Sequence, residues 1–314
     1  MGIFHRNKTT SNFIIAAPRS GTTWMSKMLN AHSEVSCVER RAFGNYADFV
    51  LDTGNANPRL RVTLDRYIQS LLLHHGIPRN KKDAITKAVL STLVKEEKEL
   101  LGKKIVVDKI TPYVNTADVV INEINKHFPK SKILYLARDG RDVLTSGVFH
   151  WFNKQQSTEE LNDFEKERRQ LFLSNPDAKL PRFFQDKEIE QWANEWAQPL
   201  ATINEAKKHH TIKVVHYEDM LVDTGKVLEE CLAFFGGSVS KSKILQCLDS
   251  GSFKAMSKGR EKGQAMQNAH IRKGISGDWK NYFTKKDGKL FHEIAGETLM
   301  KYGYITDGLW FKNL

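Results

Sequence analysis

The sequence is poor in cysteine and has no long apolar run. Three of its 314 residues are cysteines, and none lies at metal-binding or redox spacing from another. No window approaches the roughly 18 apolar residues of a membrane-spanning helix, and the polar residues 1–11 are not followed by the apolar core of a signal peptide. These absences predict a soluble protein of the reducing cytoplasm, without disulfides, a metal site or a membrane span.

The charge is unbalanced in favour of basic residues. Lys and Arg number 48 against 37 Asp and Glu, which leaves a net charge of +11. This excess predicts an anionic partner, which is a polyphosphorylated cofactor, nucleic acid, an acidic substrate or a membrane surface. Because the basic residues are spread along the whole chain, without a stripe of interleaved aromatics, a nucleic-acid-binding protein is the less favoured interpretation.

The chain also lacks internal repeats and low-complexity linkers, which predicts a single domain over residues 1–314. Four apolar runs are typical of buried strands, and helical patterns lie between them. This alternation predicts an α/β fold, with a mostly parallel sheet flanked by helices and ligands beyond the carboxyl ends of the strands. The predicted strands are Phe13–Ala17, Lys104–Asp108, Lys132–Ala137 and Ile212–Tyr217, and Val119–Phe128 is a predicted helix.

The first predicted strand runs into a loop that suits a phosphate group. Pro18–Trp24 opens a helix at the positive end of its dipole, and Gly21 allows close approach of the backbone. The loop is P-loop-like but differs from a Walker A loop, because Gly-Lys-Ser/Thr is missing and the cation precedes the glycine, which disfavours a P-loop kinase or NTPase. A structural strand-to-helix turn is the other interpretation. The side chains available to an anion are those of Arg19, Ser20, Thr22 and Thr23.

A second arginine ends the strand before the next helix. Arg138 and Ser146 lie about two helical turns apart, so a helix that folds back could bring the guanidinium and the hydroxyl to one anion. A salt-bridged turn with Asp139 and Asp142 is the alternative.

Late in the chain, a basic loop with two glycines runs into an aromatic stretch. This segment, Arg272–Thr284, suits closure over phosphate charges. A solvated turn anchored in the core by Trp279 is equally consistent with it.

Taken in order, these segments resemble the sulfotransferase family across residues 13–284. Pro18–Trp24 resembles its 5′-phosphosulfate loop, and Arg138 with Ser146 resembles its 3′-phosphate site. Arg272–Thr284 is similar to the long signature Arg-Lys-Gly-x-x-Gly-Asp-Trp-Lys-Asn-x-Phe-Thr. The resemblance implies transfer of a sulfuryl group from 3′-phosphoadenylyl sulfate (PAPS) to an acceptor hydroxyl or amine, with release of adenosine 3′,5′-bisphosphate (PAP) and no metal.

The resemblance also implies the donor-binding residues. Tyr217–Met220 resembles a Tyr-Glu-Asp segment whose tyrosine lies near adenine, and Ser252-Phe253 with Met256 resembles an adenine-stacking segment. The family usually has Lys at the position of Arg19, and arginine keeps the charge but is a poor proton donor. The implied set is Arg19, Ser20, Gly21, Thr22, Thr23, Trp24, Arg138, Ser146, Tyr217, Ser252, Phe253, Arg272, Lys273 and Gly274.

The catalytic base differs from that of the small-molecule members, whose histidine follows the second strand. The corresponding stretch here, Asp108–Tyr113, has no histidine. Instead, Asn30–Glu39 resembles the segment of protein-tyrosine and related sulfotransferases that ends in a catalytic glutamate, which makes Glu39 the candidate base. Lys109 resembles the lysine of their Lys-x-x-Pro segment and, with Arg19, would stabilise the transferring group. A salt bridge from Glu39 to one of the arginines that follow it is the alternative.

No motif identifies the acceptor, which the resemblance leaves as a small molecule or a glycan, or the oligomeric state. The segments expected to wall the acceptor site are Ala42–Pro58 and Asn153–Lys187. The second of these and Lys254–His270 are polar with weak periodicity, which predicts mobile surface segments and makes either a candidate lid.

Two further patterns favour structural roles. Trp192 and Trp196, together with Leu200 and Ile203, predict a core-facing helical stripe, with an acceptor wall as the alternative. His32 is predicted to pack at a helix end and not to act as a base.

Overall fold

The fold is built on a parallel β-sheet, seen in a computed structural model that describes residues 10–39, 43, 60–111, 117–154, 161–174, 182–264, 266 and 272–314. The strands are β1 (Asn12–Ile15), β2 (Val35–Val38), β3 (Ile105–Ile110), β4 (Lys132–Ala137) and β5 (Thr211–His216). They pair in the order β2-β3-β1-β4-β5, and every pairing is parallel. The prediction of an α/β fold with a parallel sheet is confirmed.

All four predicted strands are present, one of them, β4, with the predicted ends and three with shifted ends, and a fifth strand in the described residues was missed. β1 stops at Ile15 and not at Ala17, whereas β3 continues to Ile110. The missed strand, β2, has only four residues, one of them Ser36, and ends on the exposed Val38. A short edge strand of this composition shows no apolar run, so its pattern indicated no strand.

Helices cover both faces of the sheet. Alternate residues of β1 enter different cores, Ile14 with the residues of one face and Ile15 with those of the other, and both are fully buried. The described part of the chain contains twelve α-helices: α1 (Thr22–Ala31), α2 (Leu60–His74), α3 (Lys82–Leu101), α4 (Ala117–His127), α5 (Gly140–Lys154), α6 (Asp163–Ser174), α7 (Asp186–Ala206), α8 (Tyr217–Val222), α9 (Thr224–Phe235), α10 (Lys241–Gly251), α11 (Phe253–Met256) and α12 (Lys285–Lys301).

None of the helices within these described ranges is both long enough and apolar enough to cross a membrane.

The stripe on α7 packs against the core as predicted, although Trp192 does so only as a partly buried residue. Trp196, Leu200 and Ile203 are almost completely buried. Trp192 is half-buried, and it lines the cavity described below. One turn of helix therefore separates a core residue from a residue of the cavity wall.

The predicted mobile surface stretch Asn153–Lys187 is wrong where it forms α6. Arg168 on this helix is fully buried, and its guanidinium binds both carboxylate oxygens of Glu188, at 2.6 and 2.7 Å. The same guanidinium donates to the backbone oxygen of Phe183 at 2.6 Å. Because the buried charge is neutralised by a bidentate partner, a polar sequence conceals a helix that is anchored in the core. In the described part of Lys254–His270, Arg260 Nη1 donates to the backbone oxygen of Arg272 at 2.8 Å.

The sheet register brings the strand ends to one edge. Ile15 at the end of β1 pairs with Tyr135, and Ala137 at the end of β4 pairs with His216. The segments that follow these strands therefore leave the sheet side by side, which is where ligands bind in open parallel sheets.

Candidate functional site

A cavity of about 750 Å³ lies at the carboxyl ends of β1, β3, β4 and β5. Its walls also include parts of α5, α7 and α10 and the late loop, residues 272–278. The predicted site residues that line it are Arg19, Gly21, Thr22, Thr23, Trp24, Lys109, Arg138, Ser146, Tyr217, Ser252, Phe253, Arg272, Lys273 and Gly274, whereas Ser20 and Glu39 do not line it.

The loop between β1 and α1 has an unusual backbone. Arg19 and Gly21 both have positive φ angles, 68° and 91°, and Arg19 is one of the few residues other than glycine that do so. The ring of Tyr217 lies directly against Gly21, where an added Cβ would be 2.6 Å from Cδ2. Ser20 is buried, and its Oγ has no hydrogen-bond partner among the described residues. A strained loop with an unsatisfied donor at a helix N-terminus is typical of an anion site.

Three guanidinium groups converge on this loop. Arg19 Nε donates to Ser146 Oγ at 3.1 Å, and Arg138 Nη1 donates to the backbone oxygen of Arg19 at 2.9 Å. Burial, followed by the positive charges of Arg138 and Arg272, lowers the pKa of the Arg19 guanidinium to about 10. The structure therefore brings Arg138 and Ser146 together as predicted, with Arg19 between them.

The alternative for Arg138, a salt-bridged turn, is not observed. Among the described residues Arg138 pairs with no carboxylate, and Asp139 pairs with Arg141 at 2.7 Å. The backbone N–H of Asp139 donates to Glu218 Oε1 at 3.1 Å, which holds the turn against α8. Arg141 in turn lies 3.9 Å from the centroid of the buried Trp279 ring. The aspartate and Arg141 thus form the structural part of the turn, while Arg138 faces the cavity.

Asp142 fastens the late loop to α5. Its carboxylate accepts from the backbone N–H groups of Gly277 at 2.7 Å and Trp279 at 3.1 Å. Burial raises the pKa of this carboxyl, although Arg138 favours its ionised form. Trp279 is a core anchor, as one interpretation of the sequence held, and the loop before it still reaches the cavity.

The cations of the late loop are held by one carboxylate. Asp278 pairs with Arg272, and it lies 2.8 Å from Lys273 Nζ. Burial alone would raise the pKa of Asp278, but these two cations lower it below its ordinary value. The backbone of Gly274 lies against the ring of Phe253, where an added Cβ would be 2.4 Å from Cε2.

Aromatic rings form the wall beside the guanidinium groups. Trp24 meets Tyr217 edge to face at 5.7 Å, and its Nε1 donates to the backbone oxygen of Gly251 at 2.8 Å. Arg138 lies 4.5 Å from the centroid of the Tyr217 ring. Ser252 Oγ accepts from a backbone N–H and caps α11, so its local role is structural as well.

The two predicted catalytic residues from β2 and β3 form an ion pair. Lys109 Nζ lies 2.9 Å from Glu39 Oε2. Lys109 is 15% exposed and lines the cavity, whereas Glu39 is 41% exposed and reaches the cavity through the lysine. The alternative partners of Glu39, Arg40 and Arg41, lie outside the described residues.

His32 packs at the end of α1, as predicted. The ring is fully buried, with Nδ1 accepting from the backbone N–H of Glu34 at 3.1 Å and Nε2 lying 2.9 Å from the backbone oxygen of Ser238. Burial lowers the pKa of His32. It does not line the cavity.

The sequence matches the model of the Sulfotransferase domain family over residues 9–303. This chain belongs to the sulfotransferase family. The resemblance seen in its motifs is thereby confirmed.

Similar proteins support the same conclusion. Sulfotransferase 2A1 of Homo sapiens is 27% identical over 183 residues, which are 54% of this chain and 57% of that protein. The 3-alpha-hydroxysteroid sulfotransferase of Cavia porcellus is 26% identical over 211 residues, 64% of this chain and 68% of that protein. Mouse sulfotransferase SULT7A1, in a crystal structure complexed with PAP, has the same fold with a TM-score of 0.54, at 19% identity and with 97% of this chain and 89% of that chain covered.

The sulfotransferase cavity has a second wall that sequence reasoning largely missed. It is formed by α5 and α7, and only Trp192 had been considered for it. The residues of this wall that line the cavity are Gly147, His150, Trp151, Gln191, Trp192 and Glu195.

Within the described ranges, no group of three or more His, Cys, Asp or Glu side chains is arranged to hold a metal ion.

Proposed function

We propose that this sulfotransferase transfers a sulfuryl group from PAPS to a hydroxyl or amine of a small-molecule or glycan acceptor. The observation that carries the proposal is the convergence of Arg19, Arg138 and Arg272 on one cavity. Burial, followed by repulsion from Arg138 and Arg272, lowers the pKa of Arg19 to about 10, and a ligand with several negative charges would stabilise these buried cations. PAPS is such a ligand, and the related mouse structure contains its product PAP.

The polar atoms of the cavity fit the donor's charged groups. Ser20 Oγ and Arg138 Nε are buried without hydrogen-bond partners in the described part of the chain, a costly arrangement that a bound oxyanion would relieve. Under this proposal, Ser20 and the first amides of α1 bind the 5′ end of the donor, and Arg138, Ser146 and Arg272–Gly274 bind the 3′-phosphate.

The aromatic wall fits a nucleobase. Trp24, Tyr217 and Phe253 all line the cavity close to the guanidinium groups. A purine is planar and apolar on its faces, so aromatic side chains bind it by stacking. This wall therefore supports adenine as the base of the donor.

For catalysis we assign Glu39 and Lys109 complementary roles. The acceptor oxygen or nitrogen attacks the sulfur of the bound donor in line as its O–H or N–H proton is removed, and the bond from sulfur to the phosphate oxygen of the donor breaks, which releases PAP. Glu39 receives that proton, while Lys109 and Arg19 stabilise the charge on the transferring oxygens. The 2.9 Å contact between Lys109 and Glu39 supports this pairing of roles, since it places the base candidate beside the cavity.

A P-loop kinase or NTPase is the alternative for such a strand-loop-helix. It would require Gly-Lys-Ser/Thr after β1 and carboxylates for Mg²⁺ near the phosphates. Here an arginine precedes Gly21, and Asp142 and Asp278 are occupied by backbone N–H groups and by cations. The observations therefore favour sulfuryl transfer.

The test is calorimetry with PAP and with ATP, both in EDTA, followed by transfer of radiolabel from PAPS to a panel of phenols, hydroxysteroids and sugars. The panel includes steroids because one relative is a 3-alpha-hydroxysteroid sulfotransferase. We expect PAP to bind at micromolar concentration or below without Mg²⁺, with ATP binding more weakly. Absence of PAP binding at micromolar concentrations would contradict the proposal.

A further inference from the structure

Apart from Asp142, which fastens the late loop, the parts of α5 and α7 that line the cavity contain one buried acid. Glu195 is only 8% exposed, yet it lines the cavity. The guanidinium cluster lines the same cavity, but among the described residues none of its members pairs with Glu195. The proposed catalysis assigns this carboxyl no role.

One of the two carboxylate oxygens of Glu195 has a hydrogen-bond partner among the described residues. Its Oε1 accepts from Gln191 Nε2 at 2.9 Å, one helical turn earlier on α7. In the part of the chain that the structure describes, Oε2 has no hydrogen-bond donor and no cation within ion-pair distance. Burial raises the pKa of the carboxyl, opposed only by the bond from Gln191. Oε2 is therefore available, at the cavity wall, to accept a hydrogen bond from a ligand.

Its surroundings are those of a binding pocket for an organic molecule. Trp192 packs so closely on α5 that a Cβ on Gly147 would be 2.3 Å from Trp192 Cζ2. Gly147 directly follows Ser146, which accepts from Arg19. The wall with Glu195 therefore adjoins the donor end of the cavity, and Trp151 adds a second indole to its lining. Apolar aromatic walls with a few convergent polar groups are characteristic of small-molecule sites.

We propose that Glu195, positioned by Gln191, binds an O–H or N–H donor of the acceptor other than its reacting group. This inference rests on the proposed function and names its acceptor class: flat, largely apolar molecules with a second polar group, either a hydroxyl or an ammonium. Glu195 is then a specificity-determining residue. A site built to bind a donor discriminates strongly against an analogue that lacks it, because the buried acceptor atom is left unpaired.

The experiment measures binding to the PAP complex of three phenols that differ only in the distal group. The probes are tyramine, 4-(2-hydroxyethyl)phenol and 4-ethylphenol, which end in an ammonium, a hydroxyl and a methyl group. For the wild-type protein we expect the ammonium or hydroxyl probe to bind at least about tenfold more tightly than 4-ethylphenol. Preference for tyramine alone identifies charge pairing, and preference for both polar probes identifies hydrogen bonding.

Variants of α7 separate this role from a structural one. Glu195→Gln retains the shape and the bond to residue 191 but replaces an acceptor oxygen by an amide NH₂, so the preference for tyramine, whose ammonium can only donate, should vanish. The matched control is Glu190→Gln, on the exposed face of the same helix, which should keep it. If Glu195→Gln does not fold, Gln191→Met, at an exposed position, should reduce the preference instead.

Three equal affinities in the wild type, or a preference for tyramine that survives in Glu195→Gln or in its substitute, would overturn the inference. PAP binding by the wild type is measured first. If the wild type does not bind PAP, the proposed function is contradicted. If it binds PAP but does not discriminate among the probes, only the role assigned to Glu195 is contradicted.

Discussion

Replacing Glu39 by glutamine should abolish most turnover and leave donor binding intact. The substitution preserves the size of the side chain but removes the proton-accepting carboxylate, and it breaks the 2.9 Å ion pair with Lys109. Glu39 does not line the cavity where the donor is proposed to bind. The affinity for PAP is therefore expected to stay within about threefold of the wild-type value, a change of less than about 1 kcal/mol.

The size of the two effects separates catalysis from stability. A general base contributes about 100- to 10,000-fold to a proton-transfer rate. The ion pair joins side chains that are 41% and 15% exposed, and such a partly solvated pair contributes about 1 kcal/mol or less. In a chain of this length that amounts to a change in Tm of about 2–4 °C at most. A loss of turnover of 100-fold or more thus cannot arise from unfolding.

The assay is single-turnover transfer from labelled PAPS at saturating donor, with PAP affinity from calorimetry and Tm from calorimetric scans. Glu96→Gln is the matched control, because Glu96 is another exposed glutamate near a lysine but lies on α3. Lys109→Gln and the double variant complete a cycle. If Glu39 is the base, the double variant is slower than Lys109→Gln, whereas equal rates would show that Glu39 acts only by orienting the lysine. Wild-type turnover in Glu39→Gln would refute the assignment altogether.

Three further changes test the donor site and the fold. Arg138→Gln should weaken PAP binding by about 10- to 100-fold in calorimetry, because hydrogen bonds to charged groups contribute about 1.5–3 kcal/mol, and an unchanged affinity would exclude Arg138 from the site. Gly21→Ala places a Cβ 2.6 Å from an aromatic carbon at a φ of 91° and should lower the denaturation midpoint more than Gly102→Ala, whose φ is 61° and whose Cβ would meet no described atom within 4 Å. The hydrogen bond from Lys104 helps to hold the pKa of Glu34 at about 2, below its ordinary 4.5, so ionised Glu34 contributes stability that is lost as the pH falls from 4.5 toward 2. Glu34→Gln should therefore lower Tm clearly at pH 7 and only slightly near pH 2.5, and a constant difference would contradict this linkage.

The cavity wall formed by Arg19, Arg138 and Arg272 could be predicted because its residues lie in short contiguous segments. Pro18–Trp24 follows a buried apolar strand, and Arg138 directly follows another. In a parallel sheet the carboxyl ends of the strands share one edge, so the order of elements alone brings these segments together. The cations of Arg272–Gly274 were recognised by their local signature. What the pattern did not reveal is that Asp142 fastens this loop to α5, a contact between residues 135 positions apart.

The acceptor side could not be predicted because no local pattern marks it. Trp192 and Glu195 belong to a helix whose apolar stripe packs against the core, and a glutamate beside apolar positions is typical of a solvated helix face. Their position on the cavity depends on the close packing of Trp192 against Gly147. The conclusion that Asn153–Lys187 is mobile failed on α6 for a related reason, since the burial of Arg168 depends on its distant partner Glu188.

The contact between Glu39 and Lys109 follows from the one strand that the sequence did not predict. Val38 at the end of β2 pairs in register with Asp108, so the next residues on each strand lie side by side. This adjacency makes the ion pair and the catalytic base compatible roles. Lys109 also faces the cavity, where the sulfuryl oxygens of a bound donor would compete with the carboxylate for its ammonium group. Under the proposed function, donor binding draws Lys109 toward the transferring group and frees Glu39 to accept the proton. The ion pair between Glu39 and Lys109 then exists in the protein without donor, and Glu39 acts as the base once the donor is bound.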